Sequence, residues 1–191
     1  LNTKPENRRP IDQAFNRPRG SVSTSDGVVL ARSVKSGDRY EYQREFPEGE
    51  LYAHITGYFS YLFGATGLER AYNDELSGTT AGQRVRSVGD LFVSKDRTGN
   101  LKLTVRSDVQ AAAKAALGDQ KGSVVALDPR TGGVLALWSK PSYDPNVLSD
   151  HDLDAAGTVK QVYEAADGNP LLAKVYREIY PPGSTFKVVT G

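Results

Sequence analysis

The sequence predicts an α+β fold, with a β-rich N-terminal part over residues 1–104 followed by a part over residues 105–191 that mixes helix and strand. Two observations carry this prediction. Between residues 21 and 42, three short apolar runs are separated by two turns rich in Ser, Gly and Asp, which is the pattern of successive strands. Further on, a helical segment is followed by two apolar runs that flank a turn containing Pro and Gly at residues 128–133, which predicts a hairpin.

The composition narrows the classes of function. The chain has 24 Lys and Arg against 23 Asp and Glu, a net charge of +1, and no block of like charge, which argues against a nucleic-acid partner. It has no run of about 18 apolar residues, as a membrane span needs. It has no Cys, which excludes disulfides and thiolate metal sites. The chain begins at Leu1 and contains no Met, so we expect an excised piece of a longer protein.

The elements of the N-terminal part follow in order. Residues 1–20 contain three prolines and several arginines, and predict an extended arm. After the three strands, residues 68–72 predict a short helix. Residues 78–100 are polar and rich in turn formers, with one apolar patch at residues 90–93, and predict a connector. A strand is expected over residues 101–105.

The C-terminal part is predicted to begin with a helix that ends at Leu117. Ser107 or Asp108 can cap its N-terminus through a side-chain oxygen, and Gly118 closes its C-terminus. The elements expected after it are the hairpin strands at 123–127 and 134–138, a polar stretch at 141–167, and a last segment at 180–191.

The candidate catalytic centre is an S-x-x-K tetrad that begins at Ser184 and ends at Lys187. Residues 180–183, Tyr-Pro-Pro-Gly, mark a sharp entry into a helix. A helical residue three positions on projects from the same face, so the Lys187 amine can lie beside the Ser184 hydroxyl. A serine needs a base to take its proton, and an ammonium with the ordinary lysine pKa of about 10.4 cannot do so. We therefore expect Lys187 to be partly buried or near another cation, and the pair to favour acyl transfer.

The tetrad alone is weak evidence, because a chain of this composition contains about one such match by chance. An N-capping Ser with a solvated Lys one turn later is the ordinary explanation of such a match.

The sequence around the tetrad argues against this ordinary explanation. Residues 169–172, Asn-Pro-Leu-Leu, together with residues 180–187, Tyr-Pro-Pro-Gly-Ser-Thr-Phe-Lys, resemble the active-site serine segment of class B penicillin-binding proteins. Residues 122–137 and 141–146 are similar to the first hairpin and the following loop of that family.

The resemblance extends into the N-terminal part. Residues 19–22, Arg-Gly-Ser-Val, with residues 26–31, Asp-Gly-Val-Val-Leu-Ala, resemble the R-G-x-I…G-x-x-L-A motif of the family's pedestal. Residues 52–58 and 67–72 resemble the next two markers. The resemblance implies a pedestal or dimerisation-type domain over 1–104, followed by the N-terminal part of a β-lactamase/transpeptidase-like domain.

The resemblance implies a D,D-transpeptidase that cross-links peptidoglycan stem peptides through an acyl-serine intermediate. Ser184 would attack the penultimate D-alanine carbonyl, Lys187 would be the base, and the Ser184 backbone N–H would supply one donor of the oxyanion hole. β-Lactams would acylate the same serine. It also implies no cofactor, a location outside the cytoplasmic membrane with an anchor upstream of Leu1, roles in cell shape or division, and cell-wall synthesis or division proteins as partners.

The sequence departs from the family near its end. The family's S-x-N and K-T-G motifs do not occur, and the chain stops four residues after Lys187. Residues 97–99 and 130–132, both Arg-Thr-Gly, are superficially similar to K-T-G, but they precede the serine and are interpreted as turns. We therefore expect the chain by itself to be inactive and to belong to a longer or cleaved polypeptide.

Two other functions stay open. A serine β-lactamase or a β-lactam sensor could use the same tetrad, although it would not need the first hundred residues. A non-catalytic module could bind cell-wall synthesis partners through the pedestal half.

The remaining polar residues suggest less chemistry. His54 and His151 lie far apart without metal-ligand spacing, so we expect ordinary surface or core roles and predict no metal. Trp138 is expected in the core, and Asp152 and Asp154 in a solvated loop.

Overall fold

The protein is described here by a computed structural model, which covers residues 9–79 and 98–190. A four-stranded sheet organises the N-terminal part, in the order β3-β2-β1-β6. The first three strands pair antiparallel, whereas β6 returns parallel to β1, with Leu101 opposite Val22. The strands are β1 (Val22–Ser23), β2 (Val29–Lys35), β3 (Tyr42–Glu45) and β6 (Leu101–Lys102).

Short helices and a small hairpin connect these strands. The hairpin places Phe59 opposite Ala65. The elements are α1 (Arg9–Phe15), a 3-10 turn (Gly49–Tyr52), α2 (Ala53–Thr56), β4 (Phe59–Ser60), β5 (Gly64–Ala65), α3 (Gly67–Ala71) and α4 (Asn73–Leu76).

The C-terminal part packs a helix against a two-stranded hairpin, and further short helices follow. Ala136 and Trp138 on the hairpin are buried against Ala113 of the helix. The elements are α5 (Ser107–Leu117), β7 (Gly122–Leu127), β8 (Val134–Lys140), α6 (Pro145–Ser149), α7 (Leu153–Ala165), α8 (Lys174–Arg177), a 3-10 turn (Gly183–Phe186) and α9 (Lys187–Thr190).

The hydrophobic clusters combine residues from both halves of the chain. Val105, which immediately precedes α5, is buried with Val22 and Phe46 of the N-terminal sheet region. Tyr143 lies in a second cluster with Ala53 of α2. Because each cluster removes apolar surface of both halves from water, the two halves stabilise each other.

The first two predicted strands, the hairpin and the helix at 107–117 are confirmed. The third strand, expected to end at residue 42, instead begins there and runs over Tyr42–Glu45. The short helix expected at 68–72 is α3, followed directly by α4. The strand expected at 101–105 is shorter, because only Leu101–Lys102 pair with β1. The connector's apolar patch at 90–93 lies outside the described residues, as does Arg97 of the first Arg-Thr-Gly tripeptide.

The extended arm predicted for residues 1–20 is wrong where the structure describes it, because Arg9–Phe15 form α1. Phe15 is 2% exposed and lies with Tyr40, Phe59 and Tyr61 in an aromatic cluster. Its ring stacks on that of Phe59 with centroids 4.7 Å apart. Proline is tolerated in the first turn of a helix, so Pro10 does not prevent it. The helix forms because one face is buried by residues distant in sequence.

The polar stretch at 141–167 contains two helices, α6 and α7, which the sequence reading missed. Asp144 begins α6 by accepting a hydrogen bond from the Asn146 backbone N–H at 2.9 Å. Asp152 caps α7 in the same way, with the Ala155 N–H 3.0 Å away. The assignment of Asp152 and Asp154 to a solvated loop is therefore corrected: the first caps α7 and the second lies in its first turn.

The cap predicted for α5 is also wrong. Arg106 occupies the N-cap position and makes no side-chain cap hydrogen bond. The Ser107 hydroxyl and backbone N–H instead bind the Asp26 carboxylate in the turn between β1 and β2. Asp108 pairs with the Arg106 guanidinium, with Nη2 2.7 Å from Oδ2. The N-terminus of α5 is thus satisfied from the N-terminal part of the chain, which only the fold could bring near it.

Candidate functional site

Ser184 lies in the 3-10 turn Gly183–Phe186, and Lys187 begins α9 immediately after it. The turn opens at Gly183, whose φ of 52° is in the left-handed region that glycine adopts without strain. The Thr185 N–H donates to the Pro182 carbonyl at 3.2 Å, and the Thr185 hydroxyl binds the same oxygen. The predicted sharp entry into a helical segment is therefore present, and Ser184 and Lys187 lie three residues apart on it.

The burial of Lys187 differs from the expectation. Residues 181–190 are exposed throughout, and Val188 and Val189 are 91% and 77% exposed. Phe186 is 51% exposed. The described residues therefore do not bury Lys187, and they do not by themselves provide the environment expected for a catalytic base. The cause is that the segment extends away from the hydrophobic clusters, whose members all lie at or before Leu171.

The segment before Ser184 is held by a chain of polar contacts. Lys174 of α8 is 8% exposed and forms an ion pair with Glu178, Nζ to Oε1 2.5 Å. The Tyr180 hydroxyl donates to the second oxygen of the same carboxylate. These two contacts lower the pKa of Glu178 below its ordinary value, with the Lys174 hydrogen bond the larger cause. Contacts that start at the buried Lys174 of α8 therefore reach to within four residues of the candidate nucleophile.

His54 of α2 joins the N-terminal part to this segment. Its ring is buried, and Nε2 lies 2.8 Å from the Pro170 carbonyl oxygen. Because a carbonyl can only accept, Nε2 carries the proton and donates. The Tyr176 hydroxyl donates to the His54 carbonyl at 3.4 Å. Burial lowers the pKa of His54, the hydrogen bond to Pro170 opposes this, and the charge of Lys174 adds to the lowering.

Two clefts border His54 and α8. A cavity of about 240 Å³ lies between α2, the end of α7 and residues 169–173, and Tyr58, Tyr143 and Lys160 are among its lining residues. A wider, mainly apolar cleft of about 890 Å³ lies between α3 and strand β8. Both clefts also border Tyr176 and Arg177 of α8. The helix that precedes the serine segment is therefore flanked by open space on two sides.

The other residues singled out by sequence have structural roles. Trp138 is 3% exposed in the cluster against α5, as predicted. His151 lies 2.5 Å, Nδ1 to Oδ2, from Asp38 in the turn between β2 and β3, and its ring packs against Tyr40. Residues 130–132 form the hairpin turn. Among the described residues, no group of three or more His, Cys, Asp or Glu is placed to hold a metal ion.

Sequence reasoning missed Gln110, which joins the two halves of the chain. Gln110 of α5 is fully buried, and its amide nitrogen donates to the carbonyls of Leu51 and Leu137, each at 2.8 Å. Its amide oxygen accepts from the Leu137 N–H at 2.8 Å. A polar residue on the apolar face of a predicted helix was the one available signal for such a role.

Two family models match the chain. Residues 19–101 match the penicillin binding protein A dimerisation domain, and residues 122–191 match the penicillin binding protein transpeptidase domain. The whole chain is 41% identical to the peptidoglycan D,D-transpeptidase PbpA of Mycolicibacterium smegmatis and 39% identical to that of Mycobacterium tuberculosis. It spans 40% of the length of each of these relatives.

Solved structures are similar over the same range. The structure of penicillin-binding protein A from M. tuberculosis as an imipenem acyl-enzyme complex matches 93% of this chain and 42% of its own, with a TM-score of 0.87 and 38% identity. The penicillin G acyl-enzyme complex of the same protein matches 91% of this chain and 41% of its own, with a TM-score of 0.85. The similarity therefore includes both the N-terminal and the C-terminal part.

Proposed function

The chain belongs to the penicillin-binding protein family, as its resemblance to class B members predicted, and its similarity to actinobacterial penicillin-binding protein A covers both parts of the chain. From this premise we propose that it takes part in D,D-transpeptidation of peptidoglycan stem peptides. The observation that carries the proposal is the placement of Ser184 and Lys187 three residues apart in a helical segment, directly after a Pro-Pro-Gly turn. Structures of relatives named as β-lactam acyl-enzyme complexes support it.

In the proposed acylation step, the Ser184 hydroxyl oxygen attacks the carbonyl carbon of the penultimate D-alanine. Lys187 takes the hydroxyl proton, which requires that residues of the full-length protein outside the described ranges bury its amine, and the Ser184 backbone N–H donates to the developing oxyanion. The amide bond then breaks, and the terminal D-alanine leaves with its nitrogen protonated. The product is an ester between the stem peptide and Ser184.

In the second step, the amine of a neighbouring stem peptide attacks the ester carbonyl. A new amide bond forms, the bond to Ser184 breaks, and the proton lost by the amine returns to the serine oxygen. A β-lactam follows the first step by opening its ring. Its acyl group then remains on Ser184. Structures of the M. tuberculosis relative are named as acyl-enzyme complexes with imipenem and penicillin G.

The proposal also covers the location of the protein in the cell, its partners and its division into domains. We place the protein at the outer face of the cytoplasmic membrane, held by an anchor upstream of Leu1, with cell-wall synthesis or division proteins as partners and roles in cell shape or division. Within the described ranges, none of the helices has the length and apolar character that crossing a membrane requires. We divide the chain at residue 104, into a pedestal or dimerisation-type domain over 1–104 and the start of a transpeptidase domain over 105–191.

The test is covalent labelling followed by peptide mapping. The full-length protein that carries this sequence is incubated with benzylpenicillin, and its intact mass is compared with that of Ser184→Ala and Thr185→Ala variants. We expect one adduct in the unmodified protein and in Thr185→Ala, mapped to Ser184, and none in Ser184→Ala. Lys187→Ala should slow acylation by at least about 100-fold, as loss of a catalytic base does.

An adduct that maps elsewhere, or that persists in Ser184→Ala, would refute the assignment of the nucleophile. Rapid release of hydrolysed penicillin would point to a β-lactamase instead.

A further inference from the structure

We propose that His54 is a positioning residue for Ser184, through which the N-terminal part of the chain holds the segment that leads to the nucleophile. This inference rests on the proposed function. The contact that carries it is the buried hydrogen bond from His54 Nε2 to the Pro170 carbonyl, 2.8 Å long, between residues 116 positions apart.

Three residues from the C-terminal part of the chain contact His54. Its imidazole holds the turn at residues 169–172 through Pro170, and its own carbonyl accepts the Tyr176 hydroxyl of α8. Its ring also packs edge-on against Tyr143, with centroids 5.6 Å apart. His54 therefore contacts the turn before α8 through its side chain and α8 itself through its backbone carbonyl.

The turn that His54 holds is conformationally unusual. Asn169 has a φ of 40°, which is in the left-handed region. This conformation costs a non-glycine residue energy, so it persists only where the surrounding structure enforces it. Its side-chain oxygen accepts from the Leu171 N–H at 3.2 Å, and its backbone N–H donates to Ala166 at 3.0 Å. The next residue is Pro170, the acceptor of the His54 bond. The hydrogen bond from His54 thus stabilises the turn directly beside its strained residue.

Polar contacts and two prolines restrict the linker between α8 and Ser184. From Lys174 the contacts continue through Glu178 to Tyr180. Residues 181 and 182 are both proline, each with φ near −65° by ring closure. These contacts and the two fixed φ angles limit how much of a displacement of α8 the linker can absorb before Ser184.

The hydrogen bond from His54 to the Pro170 carbonyl requires only one donor from the side chain. Among the described residues, the Nδ1 atom of His54 is buried without a hydrogen-bond partner, and the Lys174 charge lies nearby. The bond thus uses a neutral imidazole as a single donor. Glutamine can supply an N–H donor at nearly the same position as Nε2, whereas leucine would leave the Pro170 carbonyl buried without a partner.

The experiment compares His54→Leu with His54→Gln in the full-length protein. Acylation by a fluorescent penicillin is followed over a range of concentrations, which separates the acylation rate constant from the initial binding constant. We expect His54→Leu to lower the acylation rate constant about 10-fold or more with little change in initial binding, because misplacing a nucleophile slows the chemical step. His54→Gln should restore the rate to within about 3-fold of the unmodified protein.

His151→Leu is the matched control. It removes another histidine, with a side chain 9% exposed, that joins two distant parts of the chain through Asp38. Among the described residues it does not contact the serine segment. We expect it to lower stability while leaving the acylation rate constant unchanged. Hydrogen exchange of the peptides that cover residues 170–187 gives a second readout, and it should accelerate in His54→Leu and not in His151→Leu.

The outcomes separate this inference from the proposed function. If the unmodified protein is acylated and a folded His54→Leu variant matches it in rate and exchange, His54 does not position Ser184. If both leucine variants slow acylation equally, the effect is a general loss of stability and the inference is also wrong. If the unmodified protein takes no β-lactam at Ser184, the proposed function fails, and with it the role of His54 in catalysis.

Discussion

Arg19 and Glu69 form an ion pair inside the N-terminal part, with Nε 2.9 Å from Oε2 and side chains 3% and 0% exposed. Arg44 binds the other carboxylate oxygen, with Nη2 at 2.5 Å. One carboxylate thus faces two buried guanidinium groups. Arg19 is further stabilised by the Phe59 ring, 4.1 Å from its Cζ, and by the Asn73 side-chain oxygen at 3.0 Å. Burial lowers the pKa of Arg19, and the Glu69 charge opposes this effect. The carboxylate therefore holds together α3, β3 and the residues before β1.

Replacing Glu69 by alanine should destabilise the protein strongly, because it leaves two buried cations without their anion. We expect the free energy of unfolding to fall by about 3–5 kcal/mol, as measured by urea denaturation. Glu45→Ala is the control, since Glu45 pairs with Arg32 at the surface, where the side chains are 38% and 54% exposed. That change should cost less than about 1 kcal/mol. Equal losses for the two variants would contradict the central role of Glu69.

Replacing Gln110 by alanine should leave three backbone groups without their partner: the Leu51 carbonyl, the Leu137 carbonyl and the Leu137 N–H. Each unsatisfied buried group costs about 1–3 kcal/mol, so we expect a total loss of at least about 3 kcal/mol in urea denaturation. The exposed Gln120, which lies just after α5, provides the control. Its replacement by alanine should change stability by less than about 0.5 kcal/mol, and a similar effect at both positions would refute the prediction.

The contact between Asp26 and Ser107 should make stability depend on pH in the acid range. Hydrogen bonds from Ser107 lower the pKa of Asp26 from 3.8 to about 2. Because the folded protein holds the carboxylate ionised, the contact contributes stability above pH 3.8, and this contribution is lost as the pH falls through about 2.

Asp26→Asn should therefore lower Tm at pH 6 and have almost no effect on Tm near pH 2. Thermal unfolding over pH 2–6 measures the difference. Ser107→Ala removes the hydroxyl donor, so Asp26→Asn should lower Tm at pH 6 by a smaller amount in the Ser107→Ala background. A constant gap between Asp26→Asn and the unmodified protein at all pH values would mean that ionisation of Asp26 is not the cause.

Gly57 is required by a close backbone approach as well as by its conformation. Its φ is 71°, and a Cβ added there would lie 2.1 Å from the Thr66 carbonyl oxygen. Gly64 has a φ of 70° and open space around it. Gly64→Ala therefore measures the cost of the left-handed conformation alone, about 1–2 kcal/mol. Gly57→Ala should cost at least about 2 kcal/mol more in urea denaturation, because the backbone must also move. If the two variants lose equal stability, the approach to Thr66 is not limiting.

Local sequence signals predicted the elements whose formation depends on near neighbours. The hairpin at 122–140 was recognised because its turn residues and its two apolar runs are contiguous. The helix α5 was predicted with its correct end at Leu117, since a glycine follows it directly. The helix α1 was not predicted, because its stabilisation comes from Tyr40 and Phe59, which lie 25 or more residues away.

The sequence by itself determined the family, and it supplied the two residues on which the proposed chemistry rests, a serine and a lysine three positions apart behind a Pro-Pro-Gly turn. Spacing along a chain is covalent, so it can be recognised without coordinates. Only the tertiary structure decided which partner each buried polar group reaches. The bonds from His54 to Pro170 and from Gln110 to Leu51 join residues 116 and 59 positions apart. Such partners are selected by the packing of whole elements, because a buried donor must take whichever acceptor the fold brings within about 3 Å.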